Sequence, residues 1–177
     1  NHYSRIWGVN WLRDAAVPGG VLTNGRCGKT PELVNQTVIN LGRGYSHPHL
    51  VARMDFGFWR YLFARHQYAA FNKTLLEIFP NKPRSTPTLR YDSTYIFTEL
   101  EKINGIRNRI AHHEPICFMR GHAVCCTAYA RQQYQAILTL FKWMDIDDRS
   151  LLYGLDHMDH ILHKIDAQHT VMLNDYT

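Results

Sequence analysis

The sequence predicts an all-α protein, on three observations. Apolar residues recur at helical spacing over most of the chain, no segment sustains the apolar–polar alternation of a strand, and helix-breaking residues are concentrated in two segments. Helices are expected over 3–16, 31–42, 48–65, 67–79, 90–113, 122–145 and 149–167. A chain of 177 residues is expected to form a single domain, 1–177, around one hydrophobic core.

The first helix, 3–16, gives way to PGGVLTNGRCGKTP (18–31), a basic segment dense in glycine and turn residues. Within it GRCGKT (25–30) imitates the end of a phosphate-binding loop. That pattern requires a glycine where this chain has Thr23, and a preceding strand where it has Pro18, Gly19 and Gly20, so a nucleoside-triphosphate loop is rejected. After helix 31–42, the segment 48–65 carries FGFWRYLF (56–63), apolar nearly all round a helix. It reads as a buried central helix or, alternatively, as a self-association surface. Helix 67–79 runs into FPNKPRSTP (79–87), whose three prolines exclude a helix interior. Its Lys82 and Arg84 form either a phosphate-contacting arm or a solvated connection.

Helix 90–113 ends in RNRIAHHEPI (107–116), which Pro115 stops by disfavouring helical geometry at Glu114. With Ile96 at zero and about 100° per residue, Leu100, Ile103, Ile106 and Ile110 define an apolar stripe, Arg107 falls inside it at about 20°, and Arg109 lies opposite at about 220°. A guanidinium in an apolar stripe is costly unless paired or placed at a cleft, so Arg107 is the arginine that needs explaining. Asn108 and His112 are one turn apart and can hydrogen-bond. His113 reads as a second proton-transfer group or as a helix cap, and Arg109 as a surface cation.

In helix 122–145, Cys126 shares a stripe with Ala130, Ile137, Phe141 and Met144, the position of a small core residue. In 149–167, Leu151, Leu155, Met158, Leu162 and Ile165 form one apolar stripe, while His157, His160 and His163 diverge over the other side as a solvated face. The cluster His112, His113, Cys117, His122, Cys125 and Cys126 has zinc-ligand chemistry, but its spacing matches neither paired C-x2-C units nor H-E-x-x-H. No metal centre or cofactor is assigned.

Composition bounds the rest. With 45% hydrophobic and 20% charged residues the chain is globular rather than disordered, and no stretch approaches the roughly 20 apolar residues of a membrane helix. Two of the four cysteines are adjacent, which argues against a secreted disulfide framework and for a reducing cytoplasm. The chain begins at Asn1 rather than Met, which leaves room for a missing N-terminus or a removed signal peptide. A net charge of +5 favours a polyanionic partner.

Arg107, Asn108 and His112, spaced R-N-x3-H near the end of a long helix, resemble the Arg-x4-6-His signature of the HEPN superfamily. The fuller string RNRIAHHEPI, with FGFW at 56–59 and FP at 79–80, is similar to the Abi-like (abortive infection) branch. The resemblance implies a HEPN-like helical bundle with additional helices, acting as a metal-independent endoribonuclease in phage defence or as a toxin. It implies RNA as substrate, an antitoxin or regulatory protein as partner, and a homodimer whose composite site spans both copies. By position, Arg107 and His112 become catalytic and Asn108 orients the histidine. Glu114 stands where another HEPN branch has the tyrosine that nucleotidyltransferases modify, so that regulation is not carried over.

The residue types fit this chemistry. RNA supplies its own 2′-hydroxyl nucleophile, an imidazole titrating near neutrality can move the proton, and a guanidinium can stabilise charge on the phosphoryl oxygens. On a straight helix, however, Arg107 and His112 point about 140° apart. Either the helix unwinds near Ala111 or a second copy completes the site. Two other readings stand beside this one: a non-catalytic HEPN-type module that binds RNA or protein, and a zinc-dependent hydrolase using the His and Cys cluster.

Overall fold

The computed structural model describes residues 2–118 and 124–175, with side-chain surroundings for 4–118 and 124–169. The described residues are all-α, 60% helical, and contain no named strand. They group into two compact units, Asn1–Leu100 and Glu101–Thr177.

The first unit holds α1 (His2–Trp7), α2 (Trp11–Ala16), α3 (Thr30–Leu41), α4 (His47–Arg53), α5 (Phe56–Tyr61), α6 (Arg65–Ala70) and a 3-10 turn (Leu75–Ile78). Several are pieces of longer helices that periodicity predicts. The segment 3–16 breaks at Gly8, whose φ of +89° suits glycine. The segment 48–65 breaks at Asp55, whose Oδ1 accepts the Phe58 N–H at 2.6 Å and starts a new helix. The segment 67–79 breaks after Ala70, where Asn72 and Lys73 are both left-handed.

The core of this unit is aromatic. Phe71 is fully buried and meets the edges of Trp7 and Trp11 at centroid distances of 5.8 and 5.7 Å. Leu12 of α2, Val34 of α3 and Leu50 of α4 are also fully buried, where these three helices pack on one another. Phe58, Leu62 and Phe63 of FGFWRYLF are buried, whereas Phe56, Trp59 and Arg60 are half-buried and Tyr61 is exposed, so the run is a short helix with one covered side rather than a helix buried all round.

One helix, α7 (Ser93–Ala111), begins in the first unit and ends in the second. The second unit continues with α8 (Ala128–Trp143), α9 (Asp148–Leu151) and α10 (Met158–Asp175). Thr127, Ala130, Gln133, Leu140 and Trp143 are buried at helical spacing along α8, and α10 contributes Leu162. A polar staple ties these helices: Thr127 donates to Asp166 Oδ1 and Arg131 Nη2 to Asp166 Oδ2, both at 2.8 Å. Those two donors hold the Asp166 carboxyl below its ordinary range.

The stripe expected over 149–167 is not one helix. Gly154, at φ +72°, divides it, leaving Leu151 exposed and Leu155 77% exposed, so only the α10 part faces a core. Cys126 is likewise not a core position of α8. It lies just before the helix, half-buried, with its N–H donating to the Cys117 carbonyl at 2.8 Å next to a bridge between Phe118 and Cys125.

Candidate functional site

The C-terminal turns of α7 carry RNRIAHHEPI, and the way the helix stops sorts its residues. The His113 N–H donates to the Ile110 carbonyl at 3.0 Å and the Glu114 N–H to the Arg109 carbonyl at 2.8 Å, with His113 at φ +56°. This is a Schellman closure with a histidine at the left-handed position where glycine is usual. Of the two roles expected for His113, the backbone takes up the cap.

Arg109 completes that closure. Its Nε lies 3.2 Å from Glu114 Oε2, its Nη2 donates to the Pro115 carbonyl, and its guanidinium sits 5.2 Å from the ring centre of Tyr129 in α8. Arg109 is thus half-buried and anchored, whereas Arg107 is exposed. This reverses the assignment that the helical wheel predicts. The physical reason is that the buried face of α7 turns along its length. Ile96 is fully buried at one end, but near the other end Ile106 and Arg109 are the covered residues and Ile110 is 53% exposed. A single stripe drawn through all the isoleucines does not describe a helix with different neighbours at its two ends.

Asn108 directs its amide oxygen to Arg107 Nη1 at 3.4 Å rather than to His112. The exposed His112 keeps its backbone N–H on the Asn108 carbonyl at 2.9 Å, so helical hydrogen bonding persists through the histidine and the helix does not unwind near Ala111. Arg107 and His112 therefore diverge by about 140° within one copy. Guanidinium, amide and imidazole are each exposed and are spread around the helix end.

The remaining candidates fall elsewhere. Lys82, half-buried, and Arg84, exposed, lie on the proline-rich connection of the first unit. His157, His160 and His163 are exposed, in line with a solvated face. His122 lies outside the described residues, and among the described residues no three His, Cys, Asp or Glu side chains group as a metal ion requires. Burial, with smaller contributions from Cys125 and Asp166, pushes the Cys117 thiol up, away from thiolate reactivity.

Sequence reasoning missed two residues, Glu114 and Tyr129. Glu114 had a readable signal, since a carboxylate just past the stop of a helix is within reach of an arginine one turn back. Tyr129 had none, because the approach of α8 is a tertiary fact. No family model, curated protein or solved structure in the comparisons matches the chain.

Proposed function

We propose that the chain is an endoribonuclease of HEPN type that works through Arg107, Asn108 and His112 at the end of α7, with RNA as substrate and a second copy completing the site. The observation that supports this is the division of labour in RNRIAHHEPI. Arg109 and Glu114 close the helix with their side chains and His113 with its backbone, while Arg107, Asn108, His112 and the imidazole of His113 stand exposed. Because helical bonding continues through His112, two copies offer the more direct way to bring Arg107 and His112 to one phosphate.

In this reading His112 takes the proton from the ribose 2′-hydroxyl as the O2′–P bond forms. The P–O5′ bond breaks, and the leaving oxygen is protonated by solvent. Arg107 holds the phosphoryl oxygens by paired, charge-assisted hydrogen bonds, and Asn108 steers that guanidinium. The resemblance to the Abi-like branch suggests phage defence or a toxin role, with a regulatory protein as the natural control. The test is cleavage of single-stranded RNA by purified protein: His112→Ala abolishes product while circular dichroism and oligomeric state stay unchanged. Undiminished cleavage by that variant removes the assignment.

One observation favours a second reading. Arg107 is solvated, so no burial cost demands a special role for it, and a non-catalytic RNA-binding module fits equally well. Salt-sensitive RNA binding without cleavage products under any condition would identify it.

A further inference from the structure

A cavity of about 530 Å³ opens in the first unit between the loop leading into α3 and the α5–α6 segment. That volume lies within the roughly 300–1,000 Å³ typical of small-molecule sites. Part of its lining is apolar: Leu33 of α3, Phe58 and Tyr61 of α5, and Ala64 just before α6. Phe58 is buried, whereas Leu33 and Tyr61 are 52% and 47% exposed, so a flat apolar body laid on them removes their surface from water.

The other part of the lining is cationic. Arg26, Lys29 and His66 border the cavity, all three exposed, and none makes an ion pair with a described residue. Its one carboxylate, Asp55, already accepts the Phe58 N–H. Arg26 and Lys29 thus set two positive charges against that one negative charge. The loop that carries Arg26 and Lys29 is braced from beneath: buried Gln67 donates Nε2 to the Cys27 carbonyl at 3.0 Å and lies 2.9 Å from Thr30 Oγ1. The GRCGKT segment is thus no nucleoside-triphosphate loop, but it presents two cations beside an apolar wall from a fixed backbone.

We propose that this cavity binds a planar organic anion of one or two rings with a single acidic group, its rings on Leu33 and Tyr61 and its acid facing Arg26 and Lys29. None of its lining residues belongs to α7. The chain is titrated with naphthalene-2-sulfonate, followed by fluorescence and calorimetry, and in parallel with the uncharged 2-naphthol, which has the same ring system. The sulfonate is expected to bind at one site per chain and more tightly than the uncharged compound. Arg26→Glu with Lys29→Glu weakens the sulfonate by about tenfold or more, the loss of a charged contact, and leaves the uncharged compound unaffected. Ala64→Trp, which fills the cavity, abolishes both; Tyr61→Ser replaces it if that variant fails to fold by circular dichroism. Equal affinity for the two compounds, more than one site per chain, or sulfonate binding unchanged by the charge reversal overturns the proposal.

Discussion

At φ +56°, His113 adopts a backbone conformation that costs a side-chain-bearing residue roughly 1–2 kcal/mol and glycine almost nothing. His113→Gly is therefore expected to raise the stability of the second unit by about 1 kcal/mol in urea unfolding, and to leave RNA cleavage in place. A loss of stability contradicts the capping role. Gly20 presents the opposite case. A Cβ there would lie 2.4 Å from the Asp14 carbonyl oxygen and 2.5 Å from that of Ala15. Gly20→Ala is expected to destabilise the first unit by about 1–3 kcal/mol, because rigid backbone at the end of α2 has to move. Legibility at this scale was uneven. The sequence marks RNRIAHHEPI as a helix end, but a helical wheel exchanges Arg107 and Arg109, because it assumes one buried face and α7 has two. The tie of Arg109 to Tyr129 joins residues far apart in sequence, which no local pattern encodes.

Helix ends explain where the elements depart from expectation. Three helices close with a left-handed residue other than glycine: α6 at Asn72, α7 at His113 and α8 at Asp145. Each has the paired bonds of a Schellman closure, Lys73 to Tyr68, Glu114 to Arg109 and Ile146 to Phe141. Apolar periodicity continues beyond Ala70, which is why a helix is expected to run on to 79. By contrast α3 and α7 were legible to within a few residues, because Pro31 and Gly42 mark the first and Pro115 stops the second. The short α4 carries a pH prediction. Both ring nitrogens of His47 are buried without a hydrogen-bond partner among the described residues, and its ring packs against Trp11 at 5.9 Å. Burial pushes its pKa down, and the nearby Asp14 carboxylate only partly opposes this. A lowered pKa means that the unfolded chain binds the proton more readily. The stability is thus intact above the ordinary imidazole pKa of about 6.5 and is lost as pH falls from there through the lowered value. Melting followed by tryptophan fluorescence is expected to drop between pH 7.5 and pH 5.5, and the drop to shrink in His47→Phe; an equal drop in that variant assigns it to other groups.

For the whole molecule the sequence predicted the fold class and misjudged the continuity of several helices. All-α architecture follows from periodicity summed over the chain, and the described residues bear it out. They form two compact units, with α7 passing from one to the other. No helix among them is long and apolar enough to cross a membrane. The net charge of +5 suits a polyanionic partner, and RNA affinity is expected to fall steeply with salt if Arg107 and its neighbours meet phosphates. In the proposed mechanism one copy of the α7 end does not suffice, and subunit complementation tests this directly. Arg107→Ala and His112→Ala, each inactive alone, are mixed, and RNA cleavage is measured. If Arg107 of one copy works with His112 of the other, half of a random population pairs the two variants and each such pair keeps one intact site of two, restoring roughly a quarter of wild-type activity. A mixture as inactive as its parents contradicts the shared site, and full activity in either variant alone contradicts the role of the residue it lacks.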